Sequence, residues 1–153
     1  MITPARFDRY LQGDDNAITK EELDGYNLFK KYGCVTCHQG ENVGGNMFQK
    51  FGIAGNYFED RRDLSEEDYG RYTVTKDELD KFVFRVPSLR NVTLTAPYFH
   101  NGSVKELEKA IKIMSKYQLG KEMSEKHAQS IIKFLGTLTG ENIDKFTQNE
   151  NRK

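Results

Sequence analysis

Cys34-Val35-Thr36-Cys37-His38 constrains this chain more than any other segment. It is a C-x-x-C-H pentapeptide, and it holds the only two cysteines among 153 residues. A bridge between them would span two residues and staple nothing, which excludes a disulfide framework. The spacing has the logic of haem attachment instead. Each thiol can add to one haem vinyl group, giving two thioether bonds on one side of the ring. The adjacent histidine then lies under the iron and ligates it through an imidazole nitrogen. Two other chemistries use a cysteine pair. A thioredoxin-like redox pair needs a strand–helix context that the flanking residues lack. A zinc site wants four ligands, and beside His38 only His100 and His127 remain. Adjacent Cys37 and His38 would also bind one small ion awkwardly. One covalent haem c is therefore the expectation.

A haem also helps to explain the composition. The chain is long enough for one domain, yet only 37% of it is hydrophobic. A cofactor can supply part of the missing apolar volume. Lys plus Arg and Asp plus Glu both number 23, for zero net charge. That balance argues against a nucleic-acid binder working by phosphate neutralisation. No stretch approaches the roughly 18 apolar residues of a membrane span. Met1 to Gly13 is polar and mixed in charge, unlike a secretory leader. Thioether attachment follows export, so the periplasm is expected, with numbering that suits a mature chain.

The rest of the sequence reads as mostly α with long loops. Residues 1–18 form a leading segment or linker in which Phe7, Tyr10 and Leu11 can pack. Thr19-Lys20-Glu21-Glu22 is a capping box. It opens a helix with Leu23, Tyr26, Phe29 and Tyr32 on one side, ending at Gly33. Residues 39–62 read as a long loop wrapping a cofactor edge. Thr75-Lys76-Asp77-Glu78 predicts a second capped helix to about Lys81. Phe82 to Arg90 is extended, with Pro87 forbidding a helix. Ser103-Val104-Lys105-Glu106 predicts a third cap, before a helix carrying Val104, Leu107, Ala110, Ile111 and Met114. Ser124 caps a last helix with Ala128, Ile131, Ile132, Leu135 and Leu138 inside, ended by Gly140. A haem domain thus spans 19–141, followed by a polar tail at 142–153.

The second axial ligand is open on spacing alone. Met47, Met114, Met123, His100 and His127 are the candidates. Met47 follows the attachment site too closely to cross the ring easily. Met114 lies on an apolar helix face, where a methionine ordinarily fills core. His127 falls in the first turn of a helix, an exposed place. His100, Arg85 and Arg90 can instead contact haem propionates.

Several segments together resemble one family. They are Arg6-Phe7-Asp8, Gly13-Asp14-Asp15, Cys34 to His38, Asn42-Val43-Gly44-Gly45-Asn46, Val86 to Val92, Thr95 to Ser103 and Phe134 to Gly140. The chain resembles the C-terminal haem domain of the bacterial dihaem cytochrome c peroxidases from about residue 4 to 141. The resemblance implies a cytochrome c-like domain. That family reduces hydrogen peroxide to water with electrons from a small cytochrome c or a copper protein. Its N-terminal haem is peroxidatic, and its C-terminal haem is a high-potential relay with His and Met ligands. On matching positions, His38 is the proximal ligand and Met114 the distal one. The related MauG-type enzymes carry a tyrosine there, so Met114 points to the peroxidase branch. The resemblance also implies calcium on the backbone carbonyls of Thr95 and Pro97, shared with the other domain; a homodimer is kept among the partners as a separate expectation.

With one C-x-x-C-H, the expectation is an electron-transfer haem domain that feeds a peroxidatic haem elsewhere. A free-standing single-haem carrier is the alternative. A single-haem enzyme is the third reading, but His/Met iron lacks the open position that peroxide needs.

Overall fold

The computed structural model describes residues 4–141, so the tail expected at 142–153 lies outside them. Within these residues the fold is mostly helical. α2 (Lys20–Tyr32) starts as its sequence dictates. The Glu22 amide donates to Thr19 Oγ1 at 3.3 Å, and Glu22 Oε2 accepts from the Thr19 amide at 2.8 Å. Such a cap stabilises a helix by about 1 kcal/mol. α2 ends where Gly33 turns left-handed at φ 99°.

α6 (Glu125–Gly136) is capped by Ser124 Oγ, which accepts from the His127 amide. It crosses α2 closely. A Cβ on Gly25 would lie 2.0 Å from the Ser130 carbonyl oxygen, so only glycine allows this approach. Phe7, Tyr26, Phe29 and Phe134 fill the crossing, with Phe7 and Phe134 edge to face at 5.1 Å. Phe7 arrives on α1 (Arg6–Leu11), whose Ala5 bridges Gly140. The leading segment is thus packed on the helices, although Leu11 points to solvent.

A second cluster gathers Phe51, Tyr57 and Phe58, with Phe82, Phe84 and Phe99 against them. It forms inside the stretch expected to be loop. β1 (Phe48–Lys50) pairs antiparallel with β2 (Val83–Arg85), and α3 (Tyr57–Arg61) buries two aromatic rings. Gly and Asn masked these short elements, because packing between aromatics sets them rather than periodicity.

Three expected boundaries shift. The helix sought after Thr75 is α4 (Tyr72–Thr75), and Asp77 caps a separate 3₁₀ turn at Glu78–Asp80. Ser103 caps nothing. Asn101 Oδ1 accepts its amide, and Val104 bridges Tyr98, so α5 (Leu107–Ile113) starts after Glu106. α6 stops at Gly136 rather than Gly140. Leu138 is fully buried but lies past the helix, and the inner face includes Phe134. No helix among the described residues is long and apolar enough to cross a membrane.

Candidate haem site

The C-x-x-C-H segment begins at the residue after Gly33. Its first three residues form a 3₁₀ turn, in which side chains at i and i+3 eclipse. Cys34 and Cys37 are therefore brought to one side. The His38 amide donates to the Cys34 carbonyl at 3.0 Å, closing the segment on itself. The two thiols are not joined to each other. Burial pushes the Cys34 thiol up to about 11, so it is protonated at neutral pH. That disfavours the thiolate which redox pairs and zinc sites use. Among the described residues, no three His, Cys, Asp or Glu side chains converge on a small ion.

His38 is half-buried, and desolvation lowers its pKa, against the pull of the Val43 and Pro87 carbonyls. A lowered pKa favours the neutral imidazole, the form that ligates metals. Its Nδ1 is buried with no hydrogen-bond partner. Gly44 makes room beside it. A Cβ there would stand 3.1 Å from His38 Nδ1 and 2.1 Å from the Pro87 oxygen.

Both cysteines and His38 line a cavity of about 500 Å³. Its walls come from both clusters: Phe29, Ile131 and Leu135 on one side, Phe51, Phe84 and Phe99 on the other. Met114 lines the same cavity, following Leu107, Ala110 and Ile111 on one helical stripe. The size and apolar walls suit a flat organic cofactor. Two thiols on one side, a neutral imidazole and a thioether in one apolar cavity fit a haem.

The other sequence candidates divide. Met123, His100, Arg85, Thr95 and Pro97 line the cavity, whereas Met47, His127 and Arg90 do not. Tyr32 Oη lies 2.9 Å from His127 Nδ1, so that ring is half-buried in a side-chain pair. Arg90 is committed elsewhere, forking onto Asp8 at 2.6 and 2.9 Å, and so leaves the propionate role. Arg85 holds the Gly45 carbonyl through Nε and one terminal nitrogen.

One group near the cavity was not singled out in the sequence, although Ser65 and Asp68 form a capping box. Asp68 is fully buried in the turn after α3. It accepts from the Ser65 amide, Arg61, His100 Nε2 at 2.7 Å and Asn101. Burial alone would raise its carboxyl, but these donors hold it down at about 2. His100 is thus held from behind while its ring stacks on Phe84 at 4.5 Å. Ser65 and Arg61 are neighbours in the sequence, but only the fold brings His100 and Asn101 to Asp68.

The chain is similar to known proteins over nearly all of its length. No family model matches the chain. It is 45% identical over 145 residues to cytochrome c551 peroxidase of Nitrosomonas europaea, covering 94% of this chain and 42% of that protein. It is 45% identical over 141 residues to cytochrome c peroxidase Ccp of Escherichia coli, covering 92% and 30%. Among solved structures, it is similar to a MauG-like protein associated with microbial copper homeostasis. There the TM-score is 0.73 at 27% identity, covering 91% of this chain and 52% of that one. The chain spans less than half the length of the two peroxidases.

Proposed function

The chain belongs to the bacterial cytochrome c peroxidase family, which uses haem, and from that premise we propose that it is the family's electron-transfer haem domain. Cys34 and Cys37 would hold one haem through thioethers, and His38 and Met114 would ligate its iron. One observation carries this reading: both cysteines, His38 and Met114 line a single apolar cavity. When bound, the haem supplies a one-electron couple. The chain's own residues set its character. Paired His and Met ligation raises the potential, and an apolar shell that excludes water raises it further. With His38 and Met114 both on the iron, peroxide would have no place to bind.

The domain therefore relays electrons. It receives them from a small cytochrome c or a copper protein and passes them to a peroxidatic haem in a partner domain. There one peroxide, two electrons and two protons yield two waters. The site of action is the periplasm, where haem is attached after export, and a homodimer is the proposed assembly. Thr95 and Pro97 would offer their carbonyls to a calcium ion, with the partner domain supplying the rest. In support, both residues are exposed, and neither carbonyl accepts a hydrogen bond among the described residues. Carbonyl oxygens suit that hard cation.

The test compares haem-loaded wild-type chain with Met114→Ala. The oxidised wild type should show the weak long-wavelength absorption of a Met–iron bond, and the variant should lose it. Peroxide consumption with a reduced cytochrome donor should not exceed that of free haem. An unchanged spectrum in Met114→Ala, or turnover by this chain alone, would reject the relay.

A further inference from the structure

Met114 sits where the helix changes type. α5 ends at Ile113, and Met114–Gln118 form one π-helical turn. Such turns are rare and recur at functional sites, because wider i→i+5 bonding redirects the side chains of one turn. Here it brings Ser115 and Gln118 onto the wall that Met114 already lines.

A widened turn needs outside partners for its polar groups. Ser115 is 1% exposed, and its hydroxyl donates to the Lys121 carbonyl at 2.7 Å. The Tyr117 carbonyl accepts from the Ala54 amide at 2.9 Å. Gln118 makes the most exacting contact. Its Oε1 accepts from the Gly52 amide at 2.9 Å, and its Nε2 donates to the Lys50 carbonyl at 3.0 Å. One side chain thus satisfies a donor and an acceptor at the end of β1, 66 residues away along the chain. An amide of that length can do both, and a carboxylate cannot.

The geometry points to Gln118 as a positioning residue for the axial methionine: its amide pins the π turn to the end of β1 and so fixes where Met114 presents its sulfur. This inference rests on the proposed His38/Met114 iron. The simpler role is a stitch between two segments, which would lower the melting temperature and nothing else. A positioning role also moves signals that belong to the iron.

The experiment uses the haem-loaded chain as wild type, Met114→Ala, Gln118→Ala and Gln118→Glu. The oxidised Met–iron absorption and the midpoint potential are read beside thermal unfolding. Wild type should show the absorption and Met114→Ala should lose it. Gln118→Ala should weaken it and shift the potential downward. Gln118→Glu keeps the size but removes the donor, so it should show the same loss. Should Gln118→Ala fail to fold, Gln118→Glu and Ser115→Ala carry the same readout. If Gln118 variants keep the absorption and potential while only the melting temperature falls, the inference is overturned and the His38/Met114 iron stands. If wild type itself lacks the absorption, both fall together.

Discussion

Gly44 passes so near Pro87 that a Cβ on it would lie 2.1 Å from the Pro87 carbonyl oxygen, and 3.1 Å from His38 Nδ1. Its φ of +127° is also one that side chains rarely adopt. Gly44→Ala must therefore push Pro87 or the His38 ring aside. The expected outcome is a chain that loads little haem, or loads it with an altered spectrum. The ratio of haem absorbance to protein absorbance in purified variant and wild type checks this. An unchanged ratio and spectrum would mean that His38 tolerates movement on that side.

Asp68 gives the clearest pH dependence. Its carboxyl lies at about 2, below an ordinary 3.8, because Ser65, Arg61 and His100 donate to the ionised form. A lowered folded-state pKa means that the stabilisation is complete above the unfolded value and is lost as pH falls toward the folded one. Stability should therefore drop between about pH 4 and 2, by about 2 kcal/mol from this group. Asp68→Asn should remove that part of the dependence. It should also cost about 3 kcal/mol at neutral pH by leaving Arg61 without its charge partner. Urea unfolding at a series of pH values measures both. Equal slopes in variant and wild type would contradict the assignment.

Thr19→Ala serves as a contrast. It removes the α2 cap, remote from the cavity, and should cost about 1 kcal/mol. The melting temperature should fall by about 3 °C. Haem content and spectrum should match wild type, and a change in either would tie the cap to the site.

These sites differ in how plainly they stand in the sequence. Thr19 and Ser124 are local signals, and both caps form, because capping involves neighbours along the chain. Cys34, Cys37 and His38 lie within one pentapeptide, so the motif was legible before any fold, and the proposal rests on it. Met114 was not distinguishable by spacing from a core methionine, and it emerged through the family resemblance. Ser103 misled because Val104 prefers a bridge to Tyr98, a contact that no local pattern announces. The aromatic cluster at Phe51 and Phe58, the Asp68 pairings and the Gln118 clamp were illegible for one shared reason. Each is completed by residues distant in sequence, Phe82 and Phe99 for the cluster, His100 and Asn101 for Asp68, Gly52 and Lys50 for Gln118, that only tertiary packing brings together. Gly25 and Gly44 likewise look like flexible loop or helix residues until the chain segments beside them are in place.

The most direct measurement of the central claim is the intact mass of the chain after export by a host that attaches haem. The expected mass is that of the polypeptide plus one haem, surviving denaturation because the link is covalent. Cys34→Ala together with Cys37→Ala should return the mass to that of the polypeptide alone. A wild-type mass equal to the bare polypeptide, or lighter by the two hydrogens of a Cys34–Cys37 disulfide, would contradict it.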